Sequence, residues 1–431
     1  MSTIPITFSD MLPSYTVVGG TERGASTGLS AVVLGRGVGR YSRRTLFQDL
    51  VKVGFDYIIS MEGPQERYDL EELSGRFPQI RFVLLKEEVT LGEQINLAAL
   101  ELSSSLFFVL WNDLKIQYSG GASRMAERLL LSQEEWERQK SMYRRLCTVP
   151  LIQNSRFETL PTISAPAVYK NSVKTVPFKP TSENELSLYP FDGVGIYDRA
   201  RFMRLGGFDG TLKNTYWQLM DFGFRAYLWG EQIGGTQMIR LSYDGETPPE
   251  DNSADESYRR FYLKNLAPVF RGDCAYVPLR CFPAYFWRTG KGFLNAWDDF
   301  SKGRQWVYLN RFRFKSDSRA ITELWNREEE HPISELQAVD LPKSAPLTED
   351  TEIPPAELSP SEKPPEVNEI DPGGIKIAEV ETSTKTGGVG ETVMENHVVE
   401  QPAEESEESI EQVEHTVEHS VENDNARHSE P

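Results

Sequence analysis

From Leu29 onward the chain alternates short apolar runs with longer stretches at helical spacing. Ala31-Val32-Val33-Leu34 is a β-type run closed by Gly35-Arg36-Gly37-Val38-Gly39-Arg40. Tyr41 to Val53 follows, with Leu46, Leu50 and Val53 on one helical face. Phe55 to Met61 predicts a second strand, ending in Glu62-Gly63-Pro64, and Asp69 to Phe77 a short helix stopped by Pro78. Ile80 to Leu85 predicts a third strand. Gly92 to Leu102 predicts a third helix, with Ile95, Ala99 and Leu102 inward. Leu106 to Ile116 closes the series. Its five consecutive apolar residues and Trp111 read as a strand buried on both faces, running out into Asn112-Asp113. Four strands alternating with three helices imply right-handed crossovers and a parallel sheet. The loops at Gly35–Arg40, Glu62, Glu87–Gly92 and Asp113 then converge on one sheet edge. A carboxylate there sits where open α/β sheets bind ligands, and it offers the oxygen that a hard cation uses. The plainer alternative is that Asn112-Asp113 only begins the next turn.

The pattern then changes. Residues 122–147 predict a charged helix, and 148–190, rich in Pro, Ser and Thr, an irregular connection. Order returns from Phe191 to Ile239. Trp217, Met220, Phe224 and Leu228 share a helical face there, and Asp221 and Arg225 form a favourable pair four residues apart. Residues 255–330 are rich in aromatics and bases. Trp306 to Lys315 alternates the two, which suits a half-buried strand or an extended arm. The organisation expected is a lead-in or edge strand at 1–28, two halves of one α/β domain at 29–120 and 121–254, an extension at 255–330 and a tail at 331–431.

The net charge of −19 belongs to that tail. From His331 there are 25 Asp+Glu against 5 Lys+Arg, leaving 40 acids against 41 bases before it. The tail has no Trp, Tyr or Phe and cannot bury enough apolar area to fold, so it is expected to be disordered. Its four-residue repeat at Val413 to Glu422 suits a transient helix or a partner-binding segment. All five histidines lie there too. Before His331, Ser-His-Asp triads, Cys-His dyads and His-ligated zinc are therefore excluded, and acid–base work falls to Asp, Glu, Lys, Tyr or Cys. Three cysteines without a C-x-x-C pair suggest a reducing compartment. No apolar run approaches the roughly 18 residues of a transmembrane helix, and Met1 to Pro13 does not read as a signal peptide. The expected location is the cytoplasm, with the inner face of the membrane as a place of contact.

Gly35-Arg36-Gly37-Val38-Gly39 fails the dinucleotide fingerprint, because Arg40 stands where its third glycine belongs; a P-loop fails for want of Gly-Lys-Ser/Thr. The loop still offers N–H groups, Arg36 and Arg40 to an anion. The order of elements says more. A strand ending in Glu62, a helix start at Gly92-Glu93-Gln94-Ile95-Asn96 and a strand ending in Leu110-Trp111-Asn112-Asp113 come first. Phe202-Met203-Arg204-Leu205-Gly206-Gly207-Phe208-Asp209 and a helix carrying Asp221 and Arg225 come later. Over roughly residues 29–240 this order resembles the inverting, nucleotide-sugar-dependent glycosyltransferases of family 2, whose fold is called GT-A.

The resemblance implies a Rossmann-like, mostly parallel sheet flanked by helices, followed here by the extension and tail. It implies a nucleotide-diphospho-sugar donor held by Arg36, Arg40, Glu62, Asn96, Asn112 and Asp113. It implies Mg²⁺ or Mn²⁺ on Asp113, and a glycan, lipid or protein acceptor. The family's helix reads Glu-Asp-x-Asp, and either carboxylate of the Glu-Asp pair often supplies the general base. Gln218 and Leu219 stand at those two positions here, so the base falls to Asp221 or Asp209. The rival expectation is a catalytically inactive GT-A-like binding or scaffold protein with an acidic interaction tail. For the aromatic and basic residues of 258–315, core packing comes first and a membrane-surface or lipid-acceptor contact second. Nucleic acid comes last, since the chain before the tail is nearly neutral.

Overall fold

The computed structural model describes residues 13–22, 24, 26–36, 43–64, 69–117, 120–139, 144–169, 172–243 and 250–325. The tail, its repeat and Arg40 lie outside the described residues. The first half runs β1 (Tyr15–Gly19), β2 (Leu29–Leu34), α1 (Arg43–Val53), β3 (Ile58–Glu62), α2 (Leu70–Arg76), β4 (Ile80–Leu85), α3 (Leu91–Glu101) and β5 (Leu106–Trp111). It continues with β6 (Leu114–Gln117), α4 (Gly121–Gln139), β7 (Arg144–Gln153) and a hairpin of β8 (Ile163–Tyr169) and β9 (Ser172–Phe178). Next come β10 (Gly195–Asp198), α5 (Arg199–Leu205), α6 (Thr215–Leu228) and β11 (Glu231–Tyr243). The extension holds α7 (Glu256–Phe261), the strand pair β12 (Val269–Arg271) and β13 (Cys274–Tyr276), α8 (Phe282–Thr289), α9 (Phe293–Asn310) and α10 (Ser318–Leu324).

The main sheet has the order β1-β4-β3-β2-β5-β10-β7-β11-β6. Strands β2, β3, β4, β5, β7 and β11 run one way, and β1, β6 and β10 run against them. The parallel block β4-β3-β2-β5 is the one the alternating pattern predicts. Its strands feed both faces of the sheet at a period of two. Phe107 and Val109 of β5 join the core under α3, α5 and α6, while Leu106, Phe108 and Leu110 join the core under α1 and α4. The lead-in folds as edge strand β1, antiparallel to β4.

Three expectations change. The helix expected over 122–147 ends at Gln139, and Arg144 to Gln153 is strand β7, buried between β10 and β11. Asn112 and Asp113 are a turn, and the chain returns as β6 to pair with β11 at the far edge. Trp306 to Asn310 lies in helix α9, because Trp306, Val307 and Asn310 are the residues it buries. In the extension Phe261, Phe300, Val307 and Phe314 are buried in the same core as α6, which is the core-packing reading of the aromatic stretch. Among the described residues no helix is long and apolar enough to cross a membrane.

Candidate active site

The ends of β2, β4 and β5 open on a cleft of ≈ 890 Å³, whose lining includes Arg36, Glu88, Trp111, Asp192, Tyr216 and Leu219. Its most organised wall is built around Arg36. The Arg36 amide donates to Asn112 Oδ1 at 3.1 Å, and the Asn112 amide donates to Leu34 O at 2.9 Å, so the two strand ends are laced together. The Arg36 guanidinium stacks 4.2 Å over the Trp111 ring and bonds the Asp192 carboxylate. Its other nitrogen is 3.9 Å from Asp113 Oδ2. Trp111 Nε1 donates to Asp192 O at 3.0 Å, which fixes the backbone carrying that acid.

Asp192 was not singled out from the sequence. It follows Pro190 in a tight turn, with φ at 51°, the left-handed region that Asp tolerates better than most residues. The Asp-Gly pair at 192–193 was the available signal. Burial pushes its carboxyl up to about 6, against the pull of Arg36, and the negative Asp113 nearby adds to the rise.

Among the described residues no group of three or more His, Cys, Asp or Glu stands ready for a metal ion, and the acids that could share one at this cleft are two. Asp113 and Asp192 bring two hard oxygen donors to one positive charge, the Arg36 guanidinium. Magnesium and manganese ions are held in this way by one or two carboxylates plus phosphate oxygens. The fit requires Arg36 to move, since guanidinium and metal compete for the same acids.

The other predicted residues lie elsewhere. Glu62 ends β3 as expected, but its buried carboxylate accepts from Arg43 and Ser60 Oγ, both at 2.6 Å. Asn96 on α3 brackets the Phe208 backbone, donating to its carbonyl and accepting from its amide at 2.8 Å each. A Cβ on Gly207 would stand 2.2 Å from Asn96 Oδ1, and φ there is +60°, so only glycine fits.

Asp209 and Asp221 are brought together, yet away from the cleft lining. Lys264 of the extension reaches both, at 2.8 Å and 2.7 Å. Arg260 adds to Asp209 at 2.9 Å, Arg225 Nε donates to Asp221 at 2.8 Å, and Asn265 Nδ2 donates to Asp221 at 2.7 Å. Asp221 and Arg225 are wholly buried. Burial alone would raise both carboxyls, but the cations outweigh it and hold them below the ordinary carboxylate range. Such a group is a poor proton acceptor, so the placement does not support the expected base at Asp221 or Asp209. In the sequence Lys264 stands in a run of aromatic and basic residues.

The departure at 218–219 has a structural outcome. Gln218 Oε1 accepts from the Gly92 amide at 2.8 Å, and its Nε2 donates to Thr90 Oγ1 and Asp209 O at 3.0 Å each. An amide serves this junction because it donates and accepts at once. Leu219 faces the cleft with an apolar side chain.

The sheet order and the cleft at the carboxyl ends of its parallel strands define an α/β protein with a mostly parallel sheet flanked by helices. No family model matches the chain, and no curated protein matches it. Among solved structures it is similar to GalNAc-T7 with UDP, GalNAc and Mn²⁺, at 13% identity and a TM-score of 0.42, covering 70% of this chain and 58% of that one. It is similar to residues 1–349 of S. aureus TarS in complex with UDP-GlcNAc, at 12% identity and 0.34, covering 70% and 92%. A third is the mannosyltransferase PcManGT from Pyrobaculum calidifontis with GDP-Man and Mn²⁺, at 10% identity and 0.33, covering 70% and 73%. The chain thus spans a little over half of the first of these.

Proposed function

We propose that the cleft binds a nucleotide-diphospho-sugar and that the chain transfers the sugar, with inversion, to a glycan, lipid or protein acceptor. The observation that carries this reading is the Arg36, Trp111, Asp113 and Asp192 wall at the carboxyl ends of β2 and β5. In this reading Arg36 swings from Asp192 onto the diphosphate and meets the negative charge that grows on the leaving group. Trp111 and the Asn112 bond keep its backbone in place during that swing. Asp113 and Asp192 are the residues that would hold a divalent cation, which when bound neutralises the same diphosphate. Leu219 and Tyr216 line the same cleft, where an acceptor would approach the sugar.

A second reading is favoured by Gln218 and Leu219. With an apolar residue facing the cleft where the family places a carboxylate, the chain binds the donor and does not transfer it. One experiment separates the two. UDP-, GDP- and dTDP-sugars are titrated calorimetrically with and without Mn²⁺, and release of the nucleoside diphosphate is followed in parallel with a panel of glycan, lipid and peptide acceptors present. Binding with release supports transfer, and binding without release supports the second reading. Asp113→Ala is expected to lower donor affinity in Mn²⁺ by at least about tenfold. Full affinity in that variant removes Asp113 from the site, and absence of binding by every donor ends both readings.

A further inference from the structure

The turn joining α8 to α9, at Gly290 to Gly292, carries an apolar patch that the nucleotide reading leaves unused. Trp287 is 83% exposed, Leu294 79%, Phe293 58% and Trp297 42%. The exposed rings form one cluster through two half-buried ones. Phe286 touches Trp287 and Phe293, with centroids 6.0 and 5.8 Å apart, and Phe282 touches Phe293 and Trp297 at 5.6 and 4.9 Å. The cluster is anchored from beneath, because Phe282 also packs on buried Phe300 at 5.2 Å. Exposed tryptophans on a rigid two-helix base are held out to solvent by the fold.

The charge around the patch is net positive. Residues 279–302 carry four bases and two acids. Asp298 is paired with Lys302 and Asp299 with Lys291, both at 2.7 Å. Lys291 also reaches Glu256 of α7 at 3.2 Å, and with that acid counted one positive charge remains in surplus. The bases outside these pairs are Arg280 and Arg288, both exposed and on the same segment as the rings. Trp with flanking Arg is the pairing that suits the boundary between lipid headgroups and acyl chains.

We propose that this turn docks the protein onto a membrane surface bearing anionic lipid, with Trp287, Phe293 and Leu294 entering the headgroup boundary. A second copy of the chain is a poorer occupant on charge. Whole aromatic side chains cover roughly 150–250 Å² each, so the exposed fractions leave roughly 500 Å² of apolar surface, and pairing this face with its own copy would bring Arg280 and Arg288 towards the same bases. The docking does not depend on the nucleotide reading, since vesicle binding and donor binding are measured separately.

The test is flotation of the full chain with vesicles of phosphatidylcholine, alone or with phosphatidylserine. The chain is expected to float with the anionic vesicles and about tenfold less without phosphatidylserine, and high salt removes the difference. Trp287→Ser with Leu294→Ser is expected to lower the bound fraction at least about tenfold with the melting temperature unchanged, since both side chains are exposed. Tyr308→Ser, about 21 Å further along α9, is expected to leave binding intact. Three results overturn the proposal: no flotation, equal binding by the double variant, or equal loss in Tyr308→Ser. A concentration-dependent dimer that the double variant abolishes, without vesicle binding, assigns the patch to a second copy instead.

Discussion

Replacing Asp221 with Asn keeps the shape of the side chain and removes one charge from a site with no exposure. Lys264 and Arg225 then lose an ionised partner at 2.7 and 2.8 Å. Each attraction is worth about 6 kcal/mol at an effective dielectric of ~20, and desolvation offsets most of it. Breaking a buried pair by removing one partner costs about 3–5 kcal/mol, because the remaining charge stays buried. At about 2 °C per kcal/mol for a unit of this size, the melting temperature falls by roughly 6–10 °C. The assay is thermal and urea unfolding of both proteins, with donor affinity measured below the transition. Acid sharpens it. Asp209 and Asp221 are held low in the folded chain, so their stabilisation is whole above the unfolded carboxylate value of about 3.9. It is lost as pH falls through the folded values, and Asp221→Asn flattens that acid limb. An unchanged melting temperature together with lost sugar transfer refutes the reasoning, because the charge would then serve chemistry and not the fold.

Three further outcomes follow from the same contacts. Gly92→Ala puts a Cβ 2.4 Å from Phe208 Cβ and 2.7 Å from Gln218 Cδ, and is expected to cost about 1–3 kcal/mol in urea unfolding. Asp192 is expected to titrate near about 6 by carbon NMR of labelled Asp, and Arg36→Met raises it further, because Arg36 is what pulls it down. That raised value means its contribution to stability is lost as pH rises from about 4 to about 6, opposite in sign to Asp221. Leu219→Asp returns a carboxylate to the cleft and, in the transfer reading, raises turnover by roughly a hundredfold or more. Unchanged turnover in a folded variant places acceptor deprotonation elsewhere.

The first half of the fold was legible because β2 to β5 alternate with helices in order, and each strand's burial follows from its own residues. β6 was hidden, since four residues after a turn carry little pattern and their partner, β11, lies more than a hundred residues on. β7 was hidden because the charged helical spacing of α4 ran on into Arg144 and Arg145, which begin a strand. At the site, Arg36, Asn112 and Asp113 were legible from their position at strand ends. Asp192 was not, because only the packing of its turn against Trp111 brings it to them. Asp209 and Asp221 were visible as charges, but their partner Lys264 is reached across 43 or more residues of sequence.

That partnership bears on where the α/β domain ends. The expected boundary at 254 would separate Asp209 and Asp221 from Arg260, Lys264 and Asn265, which satisfy them. Gly206 ends α5 in the left-handed conformation, Gly207 makes room for Asn96, and Phe208 stacks on Phe222 at 4.2 Å. Asp209 then needs cations that only the extension brings. Each residue of the Gly-Gly-Phe-Asp turn is thus committed to joining α3, α6 and α7. Lys264 sits 4.7 Å over the Trp306 ring, which ties the same charges to α9. The extension is therefore part of the wall behind the cleft. A change on α9 that shifts Trp306 acts on Lys264, and through Asp209 on the loop at 211–214, whose Lys213 and Asn214 line the cleft.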